Sequence, residues 1–183
     1  MSDTEKKHII LGVTGGIAAY KSAALCSMLV QNNYEVRTVM TENSQEFVTP
    51  LTFKTLSRND VMTSLWKQET WRPGHVAWAD WADLLVIAPA TANIIGKIAN
   101  GIADDALSTL AICMAPEKII VAPAMNPAMW NNVFVRKNVA VLKENKVCFC
   151  GPADGHVACG SGGTGRMEEP QVIFEAVEKF FGK

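Results

Sequence analysis

Apolar residues are laid out along this chain in two rhythms. The runs "HIILGV", "LLVIAPA" and "KIIVAPA" show no polar alternation, whereas "IAAYKSAALCSMLVQ" and "EPQVIFEAVEKFF" return to an apolar residue every third or fourth position. Unbroken short runs fit strands buried on both faces, and the longer spacing fits amphipathic helices. The pattern therefore predicts a strand in "HIILGVTGG", a helix in "IAAYKSAALCSMLVQNN" closing on Asn32 and Asn33, and a second strand in "YEVRTVMT". A helical stretch from Ser44 to Leu56 follows, bent or interrupted at Pro50. Residues 58–74 give no readable pattern. Beyond them come "HVAWADWA", the strand "LLVIAPA", helices in "TANIIGKIANG" and "ADDALSTLAICMA", strands in "KIIVAPA" and "KVCFCGP", a glycine-rich stretch and a closing helix. Apolar strands separated by helices imply an α/β fold: a Rossmann-like (flavodoxin-like) parallel β-sheet with helices on both faces, in three layers.

A chain of 183 residues with 49% hydrophobic content suits a single domain over 1–183 with a substantial core. Its 17 basic and 18 acidic residues are scattered and nearly cancel, which leaves no electrostatic footprint for nucleic acid. No apolar stretch reaches the roughly 18 residues that cross a bilayer, and "MSDTEKKHII" is no signal segment, so a cytoplasmic protein with a small-molecule or protein partner is expected. Five cysteines, an odd number without scaffold spacing, are expected as free thiols.

In a doubly wound sheet, ligands collect at the carboxyl ends of the strands. Here residues 12–16, 41–44, 89–93, 123–130 and 151–167 all follow predicted strands, and they hold most of the chain's unusual chemistry. The first turn, "GVTGG", lacks the spacing of a dinucleotide fingerprint, which disfavours NAD. Gly15 and Gly16 opening a helix suit a single phosphate, with Thr41 and Ser44 as hydroxyl donors, although the same glycines equally permit a tight turn. "APATAN" and "APAMN" repeat one device: proline stiffens each strand exit, and small side chains let a flat ring lie against backbone. Asn93 and Asn126 stand in matching places, where an isolated asparagine is more often a helix cap.

These segments, "GVTGGIAAYKS", "HVAWADWADLLVIAPATANIIGKIANGIADD", "PAMNPAMW" and "ACGSGGTGRM", resemble in order the landmarks of the flavin-containing cysteine decarboxylases over roughly residues 8–180. The resemblance is closest to members acting on 4'-phosphopantothenoylcysteine in coenzyme A biosynthesis, and implies FMN-dependent decarboxylation to 4'-phosphopantetheine. It implies His75 and Cys159 as catalytic residues. Asn126, Met125, Met129 and Ala158 would bind substrate, and Gly15, Gly16, Ile17, Thr41, Ser44, Thr91, Ala92, Asn93 and Ala124 would bind the cofactor. Thr91 stands where many relatives carry serine, Ile94 where threonine is common, and Ser161 where aspartate is frequent. The resemblance also implies a homo-oligomer, a trimer or an assembly of trimers, with each active site shared between chains. Ligation of cysteine to phosphopantothenate is expected on a separate polypeptide.

The chemistry explains why such groups are needed. Loss of carbon dioxide from a cysteine carboxylate leaves an electron pair with no acceptor beside an amide nitrogen. Hydride removal from the CH₂–SH carbon gives a thioaldehyde that accepts the pair as an enethiolate; returning hydride and a proton yields the thiol. His75 would serve the thiol as base or hydrogen-bond partner, Asn126 would hold the carboxylate, and Cys159, in a flexible flap over about 153–167, would donate the last proton. A peptidyl-cysteine decarboxylase, stopping at the enethiol, and a flavin-binding regulatory subunit are the alternatives; a flavin prenyltransferase is not expected to carry "PAMNPAMW". No metal is expected. Cys148, Cys150, His156 and Cys159 have zinc-compatible side chains, but structural zinc sites usually separate paired cysteines by about two to four residues.

Overall fold

The computed structural model describes residues 6–66, 73–156 and 162–182. Six strands, β1 (His8–Val13), β2 (Glu35–Met40), β3 (Val61–Met62), β4 (Leu84–Ala90), β5 (Ile119–Pro123) and β6 (Cys148–Phe149), form one sheet in the order β3-β2-β1-β4-β5-β6. Every pairing is parallel, with Ile10 opposite Arg37 on one side and Leu85 on the other. The chain winds outward from β1 to β3, then crosses back to β4, so the topological switch lies between β1 and β4.

Among the described residues the helices are α1 (Ala19–Gln31), α2 (Pro50–Ser57), α3 (Gly74–Trp81), α4 (Ala92–Ala99), α5 (Ala106–Cys113), α6 (Pro127–Trp130), α7 (Val133–Glu144) and α8 (Pro170–Phe180). The central strands lack polar alternation because both faces are buried. Ile9, Leu11, Leu84, Val86 and Ile120 enter a core with α1, α2 and α8. Ile10, Leu85, Ile87, Ile119 and Val121 enter a second core with α4, α5 and α7, against which Trp78 and Trp81 of α3 also pack. The three-layer α/β expectation holds.

Four elements differ from the sequence pattern. Pro50 does not bend a continuing helix: residues 42–46 form a 3-10 turn, and Pro50 opens α2 at its first turn, where its missing N–H costs nothing. β3 lies in the unreadable stretch and is only two residues long. α7 is a helix the hydrophobic rhythm did not announce; Asn132 starts it by accepting the Phe134 N–H at 2.9 Å. The glycine-rich stretch contains an antiparallel pair, β7 (Ala153–His156) and β8 (Gly162–Arg166).

Candidate functional site

A cavity of about 670 Å³ opens beside the carboxyl ends of β1, β4 and β5. Its walls come from Gly15–Ala18, Tyr20 and Lys21 ahead of and within α1, Thr91 after β4, Ala124–Asn126 and Met129 after β5, and Gly165–Met167 and Glu169 at the end of β8 and beyond it. Of the sequence candidates, Gly15, Gly16, Ile17, Thr91, Ala124, Met125, Asn126 and Met129 meet here.

Backbone packing shapes the walls. A Cβ at Gly15 would sit 2.5 Å from the Cβ of Asn43 and 2.9 Å from its carbonyl carbon, so the turn after β2 presses on a position only glycine can fill. Gly165 is equally constrained: its carbonyl accepts the Met125 N–H at 2.9 Å, and an added Cβ would collide with Met125 O. Thr14, 2% exposed, joins two walls by donating to Pro89 O at 2.7 Å and accepting the Thr91 N–H at 3.2 Å. Ser22 adds a second tie, donating to Ala88 O at 2.6 Å. α1 starts without a side-chain cap and without an acidic residue in its first turn, an end that suits an anion.

Asn126 is the N-cap of α6: its Oδ1 accepts the Ala128 N–H at 2.8 Å. That bond fixes the amide plane and makes the NH₂ end the donor of the pair. Capping and ligand contact are thus compatible here. Asn93, by contrast, caps nothing: Thr91 occupies the N-cap position of α4, and Asn93 lies one residue inside the helix, exposed.

The other candidates among the described residues do not line the cavity. Ala92 begins α4 beyond Thr91. Thr41 and Ser44 build the turn around Asn43, the buried Ser44 hydroxyl donating to Thr41 O at 2.7 Å. His75 is the second residue of α3, whose Trp78 and Trp81 pack on the second core, and its enclosed Nδ1 has no hydrogen-bond partner among the described residues. α3 feeds the parallel strand β4, so its N-terminus lies at the same sheet end as the cavity. Cys159, Ala158 and Ser161 lie outside the described residues, as does Trp71. Cys148 is exposed; Cys150 is buried with its thiol pushed up to about 11, chiefly by burial. Among the described residues no group of three or more His, Cys, Asp or Glu could hold a metal.

Three charged wall residues escaped the sequence reading. Lys21 donates to Glu169 Oε1 at 2.8 Å, and Arg166 donates to the same oxygen. Hydrogen bonding from Lys21, then from Arg166, holds the Glu169 carboxyl below its usual range. No local signal pairs residues 148 positions apart in sequence, as Lys21 and Glu169 are. Tyr20, Ile17 and Met129 add apolar surface at the mouth, 61%, 58% and 47% exposed.

Known proteins share this architecture. A coenzyme A biosynthesis bifunctional protein CoaBC of Bacillus subtilis (strain 168) is 47% identical over 180 residues, covering 97% of this chain and 44% of the relative, so the chain spans about half the length of that protein. Among solved structures, a PPC decarboxylase mutant complexed with pantothenoylaminoethenethiol superposes with a TM-score of 0.87 at 33% identity, covering 98% of this chain and 100% of the other. The FMN binding protein AtHal3 does so with a TM-score of 0.84 at 33% identity, covering 97% and 98%. The Flavoprotein family model matches residues 1–182, and the chain belongs to that family.

Proposed function

We propose that this protein is an FMN-dependent decarboxylase that converts 4'-phosphopantothenoylcysteine to 4'-phosphopantetheine in coenzyme A biosynthesis. The observation that carries the reading is the cavity itself: glycine and alanine walls at the topological switch, with the fixed amide of Asn126 on the same surface. The residues present fit the cofactor. Gly15, Gly16, Thr91 and Ala124 leave no bulky side chain where a planar ring would lie, and the uncapped start of α1 suits its phosphate. When bound, FMN supplies a two-electron oxidation at the CH₂–SH carbon and restores the pair after carbon dioxide has left.

The chain's own residues do the rest. Gly15, Gly16, Ile17, Thr91 and Ala124 would hold the cofactor, with Ala92 and Asn93 continuing the Thr91 loop and Thr41 and Ser44 supporting the turn behind Gly15. Asn126, between Met125 and Met129, would hold the reacting carboxylate through neutral N–H donors, which anchor the anion without stabilising its charge against departure. His75 would take the thiol proton at sulfur, and Cys159 would return a proton to the enethiolate, with Ala158 beside it. Because His75 is not on the cavity wall of its own chain, it would reach the site of a neighbouring copy in a homotrimer. Exposed Ile17 and Tyr20 at the mouth suit such a contact. Among the described residues no helix is long and apolar enough to cross a membrane, in keeping with a cytoplasmic catalyst.

The test is turnover of 4'-phosphopantothenoylcysteine by purified protein. Absorbance near about 450 nm from bound oxidised flavin is expected, together with released carbon dioxide. His75→Asn should keep the colour and lose turnover. Cys159→Ser should release carbon dioxide yet accumulate a product two hydrogens lighter than 4'-phosphopantetheine. Mixing His75→Asn with Asn126→Ala subunits should restore part of the activity if sites are shared between chains. A colourless protein that releases no carbon dioxide sinks the reading.

A further inference from the structure

The cavity carries charge that the proposed reaction does not use. Lys21 lies in the first turn of α1, its side chain only 11% exposed, with its ammonium on Glu169 Oε1 at 2.8 Å. Arg166, at the end of β8, donates to the same oxygen, so two cations share one carboxylate and the cluster is net positive. Lys21, Arg166 and Glu169 are the charged side chains among the described residues that line the cavity. The Nε of Arg166 is shielded from solvent and has no partner among the described residues. An ion pair tying β8 to α1 explains a clamp. It does not explain a second cation, an orphaned guanidinium N–H, or their position on a cavity wall that they share with Asn126.

An arriving dianion would satisfy all three features. Phosphate presents several acceptor oxygens, enough for an ammonium and a guanidinium together. Glu169, whose side chain is 49% exposed, can turn toward water when a stronger acceptor takes its place. Resting on the decarboxylase reading, we propose that Lys21 and Arg166 form a subsite for a phosphate monoester, the group on 4'-phosphopantothenoylcysteine remote from the reacting carboxylate, with Glu169 as the positioning residue that holds both cations ready. The phosphate of FMN carries the same chemistry and is the other source to be separated.

The experiment compares 4'-phosphopantothenoylcysteine with pantothenoylcysteine, and FMN with riboflavin, on wild type, Lys21→Gln and Lys21→Arg. Wild type should prefer the phosphorylated substrate in kcat/KM. Lys21→Gln should shrink that preference about tenfold to a hundredfold, the range for removing one charge-assisted hydrogen bond, mainly through KM, and Lys21→Arg should restore most of it. A purely structural role would lower both substrates equally and overturn the proposal. Loss of FMN affinity with riboflavin affinity unchanged would place the cofactor's phosphate there and overturn the assignment to substrate. If Lys21→Gln does not fold, wild type still decides: raising KCl from about 0.05 to about 0.5 M should raise KM for the phosphorylated substrate selectively, and equal salt dependence overturns the subsite. Wild type that turns over both substrates equally removes the subsite and leaves the decarboxylase standing. Turnover of neither removes the decarboxylase.

Discussion

The two ends of the sheet finish their strands in opposite ways. At the amino ends of β1 and β2 large side chains pack on one another: the Trp81 ring stacks on His8 with centroids 4.5 Å apart, and the Arg37 guanidinium lies 4.1 Å from the Trp81 ring centre and 5.4 Å from that of Trp78. His8 adds an Nδ1 contact to Trp81 O at 3.1 Å, and its N–H donates to Asp83 at 2.9 Å. At the carboxyl ends of β1, β4 and β5 the side chains surround a cavity instead. Glycine, alanine and threonine make up the backbone-hugging parts of the walls, beside the longer Tyr20, Met125 and Met129, and hydrogen bonds through Thr14 and Gly165 tie the walls together. One end stores stability in bulky contacts; the other keeps a shaped space by giving such contacts up.

Filling the open end should do the most damage. Gly165→Ala puts a methyl group into the Met125 carbonyl, forcing β8 off the wall; decarboxylation is expected to fall by more than about a hundredfold, measured as kcat/KM, because small misplacements of reacting groups are costly. Emptying the filled end should cost stability instead. Trp81→Ala removes the stack on both His8 and Arg37 and is expected to lower unfolding free energy by about 2 to 3 kcal/mol in urea titration while bound flavin is retained. Should Trp81→Ala release flavin without loss of stability, the contrast between the ends would be wrong.

Smaller changes sharpen the same contrast. Thr14→Val leaves the Thr91 N–H without its acceptor and should weaken FMN binding about tenfold by fluorescence titration, with Thr14→Ser restoring it. The mildest is Thr38→Val on β2. The Thr38 hydroxyl is buried with no partner among the described residues, so an isosteric methyl should raise stability by about 0.5 to 1 kcal/mol without altering flavin affinity.

How much of this could be read in advance varied with the kind of interaction. β1, β4 and β5 announced themselves because both of their faces are buried, so every position is apolar. α7 did not: its opening "VFV" has strand-like residues, Val133 and Phe134 are exposed, and its buried positions are Val139 and Leu142. Pro50 misled because proline interrupts a helix but also starts one. In the cavity, glycines and the cap Asn126 were legible since local backbone geometry demands them. Lys21, Arg166 and Glu169 were not, because a surface charge and a cavity charge look alike until the fold brings first and last helices together. For Thr41 and Ser44 the fold adds what the loop sequence did not announce: the Ser44 hydroxyl donates within its own turn.

Part of the cavity is laid down by residues between 15 and 21 and part by residues between 165 and 169. During synthesis the earliest part of the site therefore waits for nearly all of the chain described here before a ligand has anywhere to rest. Flavin capture becomes an act of the completed fold, and a prematurely terminated product, however much of its sheet it can assemble, would not draw on the cell's cofactor supply.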